Sequence, residues 1–371
     1  MCGRGAVRGG SKQKNGYRKS AAVLLLTVAL LLFGGDSLLF LPVSAAKIDP
    51  ADTLLGGLLA CDEAIDLRGA SLPAGEVGRL YLRLLHSHPE LFHIAPRLSY
   101  GYTEAGGIRT VTEVYPVYTL TGKELAEARR FFEDTVKNIL AEMAAAFGSH
   151  TPAEAEIALY LHDFLADRYA YDTRLESEAN ADAYRFFRDG RGLCQAYALA
   201  YLALCRAVGL EADLVVSDAM DHAWNHVKVG GEWYHVDVTR DDPIPNEEGE
   251  EEVNHRRFLR SDADMEALGY HGYSCAAGHA CGDTRFESDG EAALDGFSKA
   301  LTRWGNGWAG VQEGGGIVGV QPTDFGLIVG KSGDVNTDGE VTPADLLWVY
   351  DPALPEQWRA WMRGRLVGRE G

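Results

Sequence analysis

Gly190-Arg-Gly-Leu-Cys194-Gln-Ala-Tyr197 and His222-Ala-Trp-Asn-His-Val-Lys-Val-Gly-Gly-Glu-Trp-Tyr-His-Val-Asp237-Val-Thr239 decide the reading of this chain. In the first, a glycine-bracketed loop leads into Ala196 to Val208, a stretch free of Gly and Pro that Gly209 closes, so a helix is expected there. A thiol at that junction meets the unpaired N–H groups and the positive end of the helix, which favour thiolate. In the second, Gly230-Gly231 is a two-residue turn between His222–Val229 and Glu232–Thr239, two alternating runs that read as a hairpin. That turn pairs Val229 with Glu232 and His226 with His235, and by extension Trp224 with Asp237 and His222 with Thr239. One face then carries His222, Trp224, His226, Lys228, Trp233, His235, Asp237 and Thr239. The other carries Ala223, Asn225, Val227, Val229, Tyr234, Val236 and Val238, is the more apolar and suits a core. Asp237 is the diagonal neighbour of His222 on the polar face, within side-chain reach.

A cysteine at a helix start, a histidine and an orienting aspartate form the constellation of thiol-based acyl transfer. Asp237 would hold the His222 imidazole, His222 would hold Cys194 as thiolate and protonate a leaving amine, and the Cys194 N–H would serve as an oxyanion donor. Tyr171 and Gln195 could add a further oxyanion donor, and Trp224 sits between the imidazoles; Tyr171 could equally be a packing residue. A lone cysteine is ordinarily core or disulfide, and it is the His and Asp motifs that displace that reading for Cys194. A competing use of the hairpin is Zn²⁺ held by His226 and His235 with His222 and Asp237. His271, Cys275, His279 and Cys281 are also metal-like residue types, for which a Cys275–Cys281 disulfide is the expectation.

Gly192-Leu-Cys194-Gln-Ala-Tyr, His222-Ala-Trp-Asn225-His-Val and Trp233-Tyr-His-Val-Asp237-Val-Thr239 resemble the three motifs of the transglutaminase-like superfamily. Tyr169-Ala-Tyr171-Asp172 and Asn254-His-Arg-Arg-Phe258-Leu-Arg-Ser-Asp262 resemble flanks of its bacterial secreted branch. The resemblance spans about residues 150–265 and places the family's catalytic cysteine, histidine and aspartate at Cys194, His222 and Asp237. It implies an α+β, papain-like core with the cysteine helix packed on an antiparallel sheet. Members cross-link Gln to amines, hydrolyse peptides or have lost activity, so the reaction stays open. Ala196 stands where the family often has Gly.

Around that core, residues 1–46 read as a signal peptide. Arg4, Arg8, Lys12, Lys14, Arg18 and Lys19 form a basic region, Ala21–Phe33 an apolar one, and Val43-Ser44-Ala45 a cleavage site. An uncleaved anchor is the competing reading. The chain of 371 residues carries formal charge −19. Cleavage removes six basic residues and one acid, leaving 29 basic against 53 acidic residues, net −24. That charge argues against nucleic-acid and anionic-membrane partners. Five cysteines would remain, an odd number that leaves at least one thiol unpaired. Cys205 lies about 16 Å along the helix from Cys194, too far to bridge, and reads as a buried apolar residue.

Residues 47–150 read as a mainly helical N-terminal region. Residues 47–100 give short helices and loops with an amphipathic helix at Val77–Ser87; Ile108–Thr119 is a strand and Thr121–Phe147 a long helix. Thr151 as N-cap, Pro152 and Glu154 mark the next helix start, running to Arg168, with Tyr169–Asp172 a loop after it. Ala212–Ser217 is a strand. A catalytic core is thus expected over residues 151–265, then a Gly-rich extension over 266–330 without firm assignment. Over 331–371, Asp334, Asn336, Asp338, Glu340, Thr342 and Asp345 fit an EF-hand-like Ca²⁺ loop, against an acidic solvated turn. With Leu346 to Tyr350 this resembles one dockerin type I repeat, which implies a cohesin-type partner, though residues 351–371 hold no second repeat. The leading expectation is an exported peptidase acting on a protein or peptide substrate. The alternatives are a cross-linking transglutaminase, a non-catalytic scaffold, or a metal enzyme built on the hairpin histidines.

Overall fold

The computed structural model describes residues 48–149, 151–174, 181–242, 253–275 and 277–286, and the backbone of four strands between 302 and 329. The expected signal peptide and the Asp334–Asp345 loop lie outside the described residues. Among those described, no helix is long and apolar enough to cross a membrane.

The N-terminal part is built from α1 (Pro50–Ala60), β1 (Ile65–Asp66), α2 (Val77–Ser87), β2 (Ile94–Ala105) and β3 (Ile108–Tyr118). The strands form an antiparallel sheet in the order β1-β3-β2. Leu54, Leu58, Leu80, Tyr81 and Leu84 from the helices close over Ile65, Ile94, Val111 and Val114 as one apolar cluster. This region is therefore mixed rather than mainly helical. The missed strands are β1, too short to carry a period, and β2, whose residues beyond Ala95 are mostly solvent-facing and so carry no alternation to read.

The core continues with α3 (Gly122–Phe147), α4 (Glu154–Arg168), β4 (Ala170–Tyr171), α5 (Ala183–Asp189), β5 (Arg191–Gly192) and α6 (Cys194–Ala207). After it come β6 (Ala212–Ser217), β7 (His222–Val229), β8 (Glu232–Val236), α7 (Val238–Asp241), β9 (Phe258–Arg260), α8 (Asp262–Ala267) and β10 (Tyr273–Cys275). Five strands make an antiparallel sheet ordered β10-β6-β7-β8-β9. Helix α6 is buried along most of its length, and its Tyr197, Ala200, Tyr201 and Leu204 share one cluster with Ala223, Val227, Tyr234 and Val236 of the sheet. The opposite sheet face is covered by Met265 and Tyr270, which pack on Val215 and Trp224. The α+β architecture, a cysteine helix on an antiparallel sheet, is the expected one.

Three boundaries differ from expectation. Helix α4 takes Ala153 rather than Thr151 as its N-cap, and the Ala153 N–H donates to Glu156 Oε2 at 3.0 Å. Tyr169–Asp172 is not simply a loop: Ala170 and Tyr171 pair in parallel with Arg191 and Gly192. Strand β8 stops at Val236, because Asp237 turns to cap α7, its side chain accepting from the Arg240 N–H at 3.2 Å. Within the extension that had no firm assignment, β11 (Thr302–Trp304), β12 (Gly307–Val311), β13 (Ile317–Thr323) and β14 (Gly326–Val329) pair as an antiparallel meander.

Candidate active site

Cys194 is the first residue of α6 and is half-buried. The β4–β5 bridge fixes the loop before it: Ala170 N–H donates to Gly190 O at 3.1 Å and Asp172 N–H to Gly192 O at 2.9 Å. That pairing sets Tyr171 near the thiol, and burial, then the Cys194 sulfur, push the Tyr171 hydroxyl above its ordinary pKa. Gln195, the second helical residue, is half-buried.

The hairpin has the register read from its turn, with His226 opposite His235 and Val229 opposite Glu232. The ladder ends at Asn225–Val236, so Trp224–Asp237 and His222–Thr239 are not ladder pairs. Asp237 nevertheless reaches back to its diagonal neighbour, and its Oδ2 lies 2.6 Å from His222 Nε2. With Nε2 committed there, Nδ1 is the ring nitrogen left for the Cys194 thiol, to which His222 is hydrogen-bonded. Burial alone would push the imidazole down. The Asp237 carboxylate and the Cys194 hydrogen bond outweigh it and raise His222 to about 9. Asp237 is 1% exposed. Burial opposes its ionisation, but His222, the Tyr270 hydroxyl and the Arg240 N–H hold the carboxyl below the usual range.

Trp224 lies along the other side of His222, with ring centres 5.6 Å apart and planes 22° from parallel. Its Nε1–H donates to His235 Nδ1 at 2.8 Å. Tyr270, which the sequence did not single out, donates its hydroxyl to Asp237 Oδ2 at 2.5 Å, and the Arg240 guanidinium covers its ring at 4.7 Å. Its position thirty-three residues downstream of Asp237 leaves no local signal to find it by.

The structure thus brings Cys194, His222, Asp237, Tyr171 and Trp224 into one site, with Gln195 next to the thiol in sequence. It does not assemble the four-residue zinc set of His222, Asp237, His226 and His235, since the first two are engaged with each other and with the thiol. His226 and His235 gather instead with Asp262 and Cys281. Cys275 and Cys281 are both unpaired thiols, so the expected disulfide is absent. Cys205 is fully buried, and that burial pushes its thiol up to about 12.

Residues 141–238 match the transglutaminase-like superfamily, and this segment contains Cys194, His222 and Asp237. The chain therefore carries a transglutaminase-like domain there, of a superfamily that includes cysteine peptidases and transglutaminases. Similar solved structures include one of a TGase, at 13% identity and TM-score 0.27, covering 38% of this chain and 44% of that one. Another is "a Putative Cysteine Protease from Cytophaga hutchinsonii", at 16% identity and TM-score 0.24, covering 40% and 63%. Menin is similar at 15% identity and TM-score 0.28, covering 58% and 39%. The chain thus spans less than two thirds of each. No curated protein matches it.

Proposed function

We propose that this is an exported thiol enzyme that cleaves peptide bonds through Cys194, His222 and Asp237. The observation that carries the reading is an imidazole held by a buried carboxylate and acting on a thiol at a helix start, with His222 Nε2 2.6 Å from Asp237. A thiolate at Cys194 attacks the amide carbonyl, and the developing oxyanion meets the N–H groups at the start of α6. The C–N bond breaks as the imidazolium of His222 gives its proton to the departing amine, leaving a thioester on Cys194. Neutral His222 then takes a proton from water, which attacks the thioester and releases the acid. Asp237 stabilises the imidazolium and fixes the ring without itself being protonated. Hydrolysis needs no acceptor site, whereas transfer to an amine requires one, and this favours peptidase over cross-linking chemistry.

The test is incubation of the protein with a peptide library and a labelled primary amine, read by mass spectrometry. Cleavage is expected, lost by at least about 10³-fold in Cys194→Ala. Undiminished turnover in that variant, or incorporation of the amine in place of cleavage, overturns the assignment. The same proposal includes Ca²⁺ held by Asp334, Asn336, Asp338, Glu340, Thr342 and Asp345 and a cohesin-type partner for that segment. Calorimetric titration with Ca²⁺, against Asp334→Ala, checks the first half.

A further inference from the structure

His226 is 1% exposed, yet neither of its ring nitrogens has a hydrogen-bond partner among the described residues. A buried imidazole stranded in this way costs about 1–3 kcal/mol for each polar group left unsatisfied. Its neighbours say what would satisfy it. One candidate ligand atom from each of His226, His235, Asp262 and Cys281 lies within 4.8 Å of the others. Ligands in a tetrahedral zinc shell stand about 3.3–3.8 Å apart, given bonds of about 2.0–2.3 Å. Small side-chain shifts would therefore close the group on an ion. Cys281 is fully buried and unpaired, and it arrives from a loop beyond β10. That loop is clasped to Asp262 in both directions: Cys281 N–H donates to Asp262 Oδ2 at 2.8 Å, and Asp262 N–H to Cys281 O at 2.7 Å.

The hydrogen bonds assign the four residues different parts. The Trp224 indole can only donate, so His235 Nδ1 must accept its N–H. The proton of neutral His235 then sits on Nε2, 2.9 Å from Asp262 Oδ1. His235 is thereby a positioning residue that orients the carboxylate, the arrangement expected of a group behind a metal ligand. The Tyr273 hydroxyl supports the same oxygen at 3.1 Å. Asp262 is the one partly solvent-facing member, with its side chain 36% exposed, so water has access from that side.

We propose that His226, Asp262 and Cys281 bind a zinc ion, with water as the fourth ligand and His235 orienting Asp262. The nitrogen, oxygen and thiolate sulfur donors suit Zn²⁺. Cys281 releases its S–H proton to solvent on binding, and one thiolate and one carboxylate then neutralise the divalent charge inside the fold. The ion ties β7, the start of α8 and the loop after β10 together behind Trp224, the residue stacked on His222. It is a structural site behind the thiol centre and has no part in the chemistry at Cys194.

The experiment measures zinc in the purified full chain by elemental analysis, then strips it and titrates Co²⁺ spectroscopically. About one zinc per chain is expected, with a thiolate-to-cobalt charge-transfer band in the near ultraviolet. Cys281→Ser should abolish the band, His226→Asn should lose at least about nine tenths of the metal, and His235→Asn should weaken binding about 10–100-fold. Cys275→Ser should retain metal and band. So should His255→Asn, a change in the separate His162, Asp163 and His255 cluster. Should the Cys281 and His226 variants not fold, the band in the native chain together with its retention in Cys275→Ser and His255→Asn decides in favour. A native chain that binds neither ion, metal retained in folded Cys281→Ser or His226→Asn, or a Cys275–Cys281 disulfide found by non-reducing peptide mapping overturns the proposal.

Discussion

At the level of single residues, the site turns on how Asp237 is held. Its carboxylate serves three groups at once: His222, the Tyr270 hydroxyl and the Arg240 N–H. Because His222 is raised to about 9, its proton is available for the leaving amine at neutral pH and is lost above that value. The cleavage rate should therefore fall on an alkaline limb near 9, and Asp237→Asn should move that limb downward; an unmoved limb would exclude His222 as its source. The same shift has a sign for stability. A histidine whose folded pKa lies above the ordinary 6.5 stabilises the fold fully below 6.5, and that contribution disappears as pH rises through about 9. Melting temperature should drop over that window in the native chain and stay flatter in Asp237→Asn. Tyr270→Phe removes a donor from a buried carboxylate and should cost about 1.5–3 kcal/mol in urea unfolding. The sequence disclosed the thiol, imidazole and carboxylate because hairpin register places the last two together. Tyr270, Asp262 and Cys281 join their sites through long-range packing, which leaves no spacing to read.

Among the elements, legibility followed local pattern. Helix α2 and strands β6 and β7 have the expected boundaries: α2 buries one stripe along its length, and β7 is bounded at its far end by the Gly230–Gly231 turn. The β4–β5 bridge was illegible because two residues carry no period and their partners lie twenty-one positions away. Strand β8 ended early because an aspartate with a helix turn ahead of it can cap that turn and leave the ladder. The hairpin turn is where local sequence has most leverage on the site. Gly230 and Gly231 have φ of 58° and 87°, the left-handed pair a tight two-residue turn requires. Gly231→Val should destabilise by about 1–2 kcal/mol. Gly230→Asn, compatible with the same conformation, should be close to neutral. Equal losses in both variants, measured by chemical denaturation, would mean that contacts rather than backbone conformation fix the turn.

Across the whole molecule, two apolar clusters meet, one around α1, α2 and β1–β3 and one around α3–α6 and the sheet. Arginines on the helices of the second reach carbonyls of α1 and α2 in the first, and another holds the segment that joins the two clusters. Arg129 donates to Leu59 O near the end of α1 at 3.2 Å, Arg206 to Ser87 O at the end of α2, and Arg185 to Phe92 O at 3.3 Å. Two of these acceptors are final-turn carbonyls, which lack intrahelical donors and carry the negative end of the helix dipole, so a guanidinium there gains hydrogen bond and charge together. The contacts lie at a seam between separately packed apolar groups, where local opening needs the least disruption of either core. Replacing Arg129 and Arg206 together by Ala should therefore loosen residues 48–118 ahead of the remainder. Limited proteolysis should yield a protected fragment beginning near α3, which the native chain does not release under the same conditions. Each single change should cost about 1 kcal/mol. If the double variant instead unfolds in one step with no such fragment, the two clusters are a single cooperative unit and the arginines are surface decoration.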